Sequence, residues 1–435
     1  MKKLSFLLIG LICLAFQNCQ NLDDAPIENR NTFMHFYEGG NSYVASAAEI
    51  TSDGFIIVGT IVVTGDNSDS KMVIIKTDRF GQTAWETVLD GGTCSSVMQT
   101  ANGYIVLGDS IKITPTSEKI SDLVNNWSRM VTLSLDGTVQ TDKSYALSKD
   151  DPADTVDIHI DFHAKSITKD NQGNLITLGS FRVPGTTENS FIAALDPTTL
   201  DTIWKKQYNY IDRNYTLANG VQYNNSGNIL WASSLTISQG DLTRGYLTIP
   251  VVKDSSTFVN SDYYGEVSDR SFIVNDLRPA AIGYCAIGTT SQTDGKKANL
   301  FFIRVDESGN FKSGSARYFD GINSANNVSL NDSTVSVSED TGDAITSTKD
   351  GGYLLGGTLT TTPQRGNGGK DIWLIRLDAS GNVLWNKIIG GSTDETIASI
   401  RETSDGGFLI CGSKSLGTQS SIMLIKTDKN GELRN

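Results

Sequence analysis

The chain has 435 residues, with 42 Gly against only 8 Pro, and 36 Lys and Arg against 49 Asp and Glu, a formal net charge of −13. An apolar share of 38% with 8% aromatics belongs to a folded chain rather than a disordered one. The acidic balance argues against a nucleic-acid partner, which needs clustered Lys and Arg to displace counterions. Three His and five Cys leave little material for metal or nucleophile chemistry.

In chain order, the first element is an address. Lys2 and Lys3 precede an apolar run from Phe6 to Phe16 that is too short to stay in a bilayer as a spanning helix. Residues 1–18 therefore read as a secretory signal. It ends in Leu14-Ala15-Phe16-Gln17-Asn18-Cys19, which resembles a loose bacterial lipobox of the kind found in Bacteroidetes lipoproteins, with Cys19 as the lipid-attachment residue. Gln20-Asn21-Leu22-Asp23-Asp24 resembles the acidic tract that marks surface export in that group. The alternative is an ordinary cleaved signal beside a coincidental Cys. On the first reading, residues 19–31 form an acylated tether to the outer membrane, facing the cell surface or the periplasm. Loss of Lys2 and Lys3 leaves 34 basic against 49 acidic residues, a net of −15. Cys94, Cys285 and Cys411 are then an odd number of thiols in apolar strands, and read as small buried hydrophobes rather than a disulfide framework.

From residue 32 onward the chain repeats itself, and the repeat decides the fold. TSTKDGGYLLGGT (346–358) with DIWLIRLDASGNVLWNKIIGG (371–391) is the clearest copy. RETSDGGFLICGS (401–413) and EITSDGFIIVGT (49–60) begin two others, and four weaker copies fill the middle. A strand-ending residue aligns at Gly59, Gly108, Gly179, Ser233, Gly288, Gly357 and Gly412, which makes seven units. Each unit reads as four strands. A first strand meets a second through a DGG or NG turn, where Gly accepts the positive φ of a tight hairpin. A third strand of the VIIKTD type closes in an Asp-x-x-Gly turn, as at Asp78–Gly81 and Asp378–Gly381. A fourth strand carries an aromatic: Trp85, Trp204, Phe311 or Trp385.

Seven such units predict an all-β fold, a single seven-bladed β-propeller of four-stranded antiparallel blades over 32–435. The seventh unit lacks a fourth strand, while residues 32–40 match LWNKIIGG (384–391) without a unit of their own. The N-terminal strand is thus expected to complete the last blade and close the ring.

The repeat resembles that of the β-propeller lipoproteins of Bacteroidetes, with units of the form TsDGGyilaG followed by DiwliKlDxxGnxlW. It is also distantly similar to quinoprotein-type repeats, as in FIAALDPTTLDTIWKKQY (191–208). The resemblance implies the fold and says little about activity.

Length variation falls in the second-to-third loop of unit two (110–128) and between blades (148–162 and 320–343). In an up-and-down blade these loops share one face, leaving the other tightly turned. Loops on a rigid scaffold are where binding is usually built. Asp157, His159, Asp161 and His163 alternate with Ile158, Ile160 and Phe162, so on a strand they share one face. Aligned with Asp394, Asp343 and Ala398, the two His are expected near the mouth of the central channel. They read as a solvated polar face rather than a metal site, and as candidate ligand contacts. Trp127, Tyr215, Tyr263 and Tyr264 are candidate aromatic platforms, and Arg365 and Lys370 candidate polar contacts.

No catalytic residue stands out. A Gly-x-Ser-x-Gly elbow is absent, as are the adjacent Cys of quinoprotein enzymes. No cofactor is called for. The expectation is a membrane-attached binding or scaffold protein for a glycan or an envelope protein. The alternatives are a propeller enzyme (a glycan hydrolase or lyase, or a quinoprotein-like oxidoreductase) and an envelope-assembly scaffold.

Overall fold

The computed structural model describes residues 31–63, 70–114, 123–145, 161–182, 189–208, 214–239, 242–253, 258–260, 263–264, 270–292, 298–322, 328–330, 340–360 and 369–433. The chain is all β, with its strands in seven antiparallel sheets, one for each sequence repeat. These are the seven blades of a β-propeller. Blade 1 runs Ser42–Thr51, Gly54–Val62, Lys71–Asp78 and Thr83–Asp90, each strand paired with the next. Blade 2 follows with Gly92–Thr100, Gly103–Thr114, Leu123–Ser134 and Val139–Tyr145. Blade 3 has Asp161–Lys169, Leu175–Arg182, Asn189–Leu195 and Thr202–Tyr208.

Blade 4 departs from the pattern. Its first two strands are Asn214–Tyr223 and Asn228–Gln239, and its third is split into Leu242–Thr248 and Val251–Lys253. The break falls at Pro250, which has no N–H to donate to the ladder. The fourth strand is split to match, into Phe258–Asn260 and Tyr263–Tyr264. Blade 5 has Arg270–Pro279, Tyr284–Gln292, Ala298–Val305 and Arg317–Ile322, with a short extra edge strand at Val328–Leu330. Phe311, expected inside its fourth strand, instead makes a single bridge to Val305 ahead of that strand. Blade 6 has Thr341–Ser347, Tyr353–Thr360, Lys370–Leu377 and Val383–Ile389. Blade 7 has Glu395–Glu402, Phe408–Ser415 and Ser420–Thr427.

The ring closes as the repeat implied. Phe33–Tyr37 pairs antiparallel with Ser420–Thr427, Phe33 opposite Lys426 and Tyr37 opposite Ile422, and supplies the fourth strand of blade 7. First strands touch first strands all the way round, the one in blade 7 meeting the one in blade 1. They therefore line the axis. Closure also fixes where the chain enters. Phe33 lies beside the residue two before the Asp428–Gly431 turn, so the N-terminal segment arrives on the tightly turned face.

There is no single central core. The buried side chains form seven clusters among the described residues, one at each blade–blade interface. This explains the near-continuous apolar second strands. In FIIVG, Phe55 and Ile57 pack toward blade 7 while Ile56 and Val58 pack toward blade 2. Alternate side chains face opposite ways and both sides are covered. The turns behave as read: Gly81, Gly309, Gly381 and Gly431 hold φ between 74° and 86°. In each of these turns the Asp side chain accepts hydrogen bonds from the backbone N–H groups two and four residues on.

The insertion in unit two is not a loop throughout. Its second and third strands stay paired out to Thr114 and Leu123, six residues past Gly108, so much of 110–128 is a projecting two-stranded ribbon. Blade 4 has a matching ribbon that pairs as far as Gln239 and Leu242. A ladder continued outward satisfies the backbone polar groups that a loop would leave to solvent.

Candidate functional site: a polar cavity on the propeller axis

Six of the seven first strands carry a one-residue bulge at the same place. The ladder slips just after the residue opposite the strand-ending Gly: Ala45, Cys94, Ala164, Val274, Gly342 and Ile397. The Gly is required there. A Cβ on Gly108 or Gly357 would sit 1.9 Å from a first-strand carbonyl oxygen, that of Thr93 or Thr341. In blade 4 the Gly is Ser233, and the ladder slips on either side of it, between Tyr215 and Leu217 and between Asn219 and Gln222. The one unit with a Cβ at this position keeps its ladder in register there. An extra residue in one strand turns a side chain out of the sheet, and here the turned-out residues meet on the axis.

They line a cavity of about 280 Å³ reached by all seven blades. Ser46 and Ser95 come from blades 1 and 2, Lys165 from blade 3, Asn219 from blade 4, and Asn275, Asp343 and Ala398 from blades 5 to 7. Arg278 and Arg401 lie three residues beyond their blades' bulge residues. Most of the charges are matched within the chain. Arg401 forms an ion pair with Glu49 of the neighbouring blade. Arg278 pairs with Asp276 at 3.0 Å. Asp343 takes hydroxyl hydrogen bonds from Thr341 (2.8 Å) and Thr358 (3.1 Å). Burial still pushes its carboxyl above the usual range. The amides of Asn219 and Asn275 donate to the backbone carbonyls of Val274 and Gly342 in the next blade.

A second set of polar contacts staples the blades around this axis. The residue after the strand-ending Gly is Thr60, Asp109, Ser180, Ser234, Thr289, Thr358 or Ser413, always one with a short side-chain oxygen. At five junctions that oxygen accepts the backbone N–H of the residue opposite the Gly in the neighbouring blade, as in Ser413 to Ala45 (2.8 Å) and Ser234 to Val274 (2.8 Å). The bulge frees those N–H groups from the ladder, and an unpartnered one would be costly.

His163 belongs to this stapling set. Its Nδ1 lies 2.8 Å from Asp109 Oδ2, while Asp109 Oδ1 accepts the Ala164 N–H at 3.0 Å. The register also corrects its alignment: Lys165, and not His163, is equivalent to Asp343 and Ala398. His163 matches Thr341 and Thr396, and ties blade 3 to blade 2.

The other residues singled out in the sequence are scattered. Cys19, His159 and Arg365 lie outside the described residues. Trp127, Asp161 and Tyr215 are placed by their backbones, opposite Ser110, Arg182 and Leu235. Trp127 is therefore on the blade 2 ribbon. Lys370 is exposed at the start of its strand, and its N–H donates to Asp394 Oδ1 at 2.9 Å. Tyr264 is no open platform: its hydroxyl is 2.7 Å from that of Tyr318, and its ring packs on Phe272 and Phe311. No group of three or more His, Cys, Asp or Glu suited to a metal ion occurs among the described residues. Burial pushes the Cys94 and Cys411 thiols up to about 12, which suits inert core residues.

Of the axial residues only Asp343 and Ala398 were placed near the channel by the sequence, although a signal for the others exists. In the six regular blades they stand 13 or 14 residues before the strand-ending Gly. Their polarity looked like ordinary strand alternation because a bulge is invisible in the pattern.

No protein-family model matches the chain, and no curated protein matches it. Among solved structures it is similar to the sialidase of Trypanosoma rangeli, at 10% identity and a TM-score of 0.43, covering 92% of this chain and 57% of that one. It is also similar to the β-propeller domain of the trilobed protease of Pyrococcus furiosus (11%, TM-score 0.44, 92% and 97% covered). A third is the GH93 α-L-arabinofuranosidase of Fusarium graminearum (10%, TM-score 0.43, 92% and 98% covered). The chain spans a little over half the length of the sialidase. At these identities the likenesses assign no activity to it.

Proposed function

We propose that the chain is a non-catalytic binding module, anchored in the bacterial outer membrane through acylated Cys19. It would hold a glycan or protein partner on the face bearing the long loops and ribbons. The observation that carries this reading is the axial cavity. Positions the fold requires recur: the short oxygen side chain after the strand end in all seven blades, the strand-ending Gly in six, and the Asp-x-x-Gly turn in four. The bulge position does not recur. It holds Ser, Ser, Lys, Asn, Asp and Ala in the six regular blades. Such variety at one structural position on a rigid ring is what recognition of a single asymmetric partner requires.

Entry of the chain on the tightly turned face supports the anchor geometry, because a tether there directs the ribbons away from the membrane. A glycan array combined with affinity capture from envelope extract tests the reading, using the mature chain with Cys19→Ser so that it stays soluble. Retention of a defined glycan or envelope protein is expected. Turnover of any arrayed glycan would overturn the non-catalytic assignment. Metabolic labelling with a radioactive fatty acid should mark the wild type and not Cys19→Ser; equal labelling would remove the anchor.

A further inference from the structure

Of the charged groups at the axial cavity, Arg401 and Arg278 are neutralised by Glu49 and Asp276. Two remain. Lys165 has no carboxylate partner among the described residues, and Asp343 is held by hydroxyls of its own blade without an ion pair among those residues, the Lys370 charge acting on it without outweighing its burial. They sit on blades 3 and 6, three apart in a ring of seven, and therefore on opposite sides of the axis.

We propose that the cavity binds a small zwitterion, a molecule with a carboxylate and an ammonium group on a short skeleton, of the amino-acid and short-peptide class. The proposal rests on the reading of the chain as a binding module and names the ligand of its axial site. Lys165 receives the carboxylate and Asp343 the ammonium. The side-chain oxygens of Asn219 and Asn275 remain as acceptors, because their amide nitrogens are held by neighbouring blades.

Three further observations agree. A volume of about 280 Å³ lies just below the range of drug-sized ligand sites, which suits a smaller molecule. None of the described residues lining the cavity is aromatic, so no platform is present for stacking a sugar ring. Desolvation disfavours the Asp343 carboxylate when it is alone, and an ammonium brought beside it relieves that penalty.

The test is calorimetric titration of the mature Cys19→Ser chain with dialanine, the twenty amino acids, acetate, methylammonium and glucose. Dialanine or an amino acid is expected to bind, with acetate and methylammonium each weaker by about tenfold or more, since each lacks one charged contact. Lys165→Gln and Asp343→Asn should each weaken zwitterion binding by about tenfold, with melting temperatures unchanged. Lys165→Arg should retain binding. If Lys165→Gln fails to fold, Asp343→Asn gives the same reading from the opposite wall. Zwitterion binding untouched by either substitution, or preference for glucose, overturns the proposal. Capture of a glycan or envelope protein with no zwitterion bound overturns the axial site and leaves the module standing. Failure of both overturns the two together.

Discussion

At the scale of single residues, the repeat is a set of local solutions to named problems. The strand-ending Gly exists because a bulged first strand brings its carbonyl too close for a Cβ. Gly108→Ala should therefore destabilise the protein by about 2 kcal/mol, a typical overpacking cost, seen as a lowered urea midpoint. Gly108→Ser should cost as much even though Ser233 occupies the equivalent place, because the blade 4 ladder stays in register opposite Ser233. The Asp of the DGG turn solves a different problem: it meets a third-strand cation, in Asp53–Lys76, Asp350–Arg376 and Asp405–Lys426, at 2.6 to 3.0 Å. For Asp350, the Thr348 hydroxyl and then the Arg376 guanidinium bring the carboxyl down to about 2. A depressed folded pKa contributes stability that is present above the unfolded value near 4 and disappears as pH falls toward 2. Asp350→Asn should flatten the fall of melting temperature across that window and lower the melting temperature at pH 7. These residue types were plain in the sequence. Their partners were not, because Asp53 and Lys76 meet across a strand and a loop that the repeat period does not measure.

Among the elements, the fourth strand of each blade acts as a clasp on the next. Trp85 Nε1 donates to the Leu135 carbonyl in the Ser134–Gly137 turn of blade 2, at 3.0 Å. Trp385 packs under Gly431 in blade 7, where a Cβ would be 2.7 Å from its ring. The N-terminal strand repeats the device, with Phe33 and His35 under Gly81 and the Tyr37 hydroxyl donating to the Gly81 carbonyl at 2.7 Å. The register makes Phe33 the equivalent of Trp385, the two lying opposite Lys426 and Arg376, whereas aligning the Gly-Gly ends of 32–40 and 384–391 would put Met34 there. Trp385→Ala should cost about 2 kcal/mol, less than truncation of a fully buried aromatic because Trp385 is only partly buried. Tyr37→Phe should cost about 1 kcal/mol for its hydrogen bond, read from denaturant midpoints. Removal of residues 31–37 would expose the edge of Ser420–Thr427. Broadened unfolding and concentration-dependent association are the expected results, measured by calorimetry and light scattering. Where the element reading failed, a local break explains it. Pro250 splits a strand, Phe311 precedes its strand as a lone bridge, and the 110–128 insertion continues a ladder instead of leaving it.

For the whole molecule, closure converts seven weak sheets into one body, since each buries its faces only against its neighbours. It also gives the disc two unlike faces, one crossed by tight turns and the N-terminal tether, the other by ribbons and long loops. A cysteine placed at Ser404, in the tight turn of blade 7, should be shielded from a bulky thiol reagent on intact cells relative to one at Gln419, on the opposite side of the same blade. Equal labelling would count against an anchor on the tight face. The amino-acid sequence by itself determined the number of blades, the turns between them and the means of closure. Those follow from periodicity and from Gly, Asp and aromatic residues whose roles are local. Only the tertiary structure decided which polar residues share the axis. Lys165, Asp276 and Asp343 are far apart along the chain, and a bulge of one residue, which no alternation pattern reveals, sets which side chains turn inward.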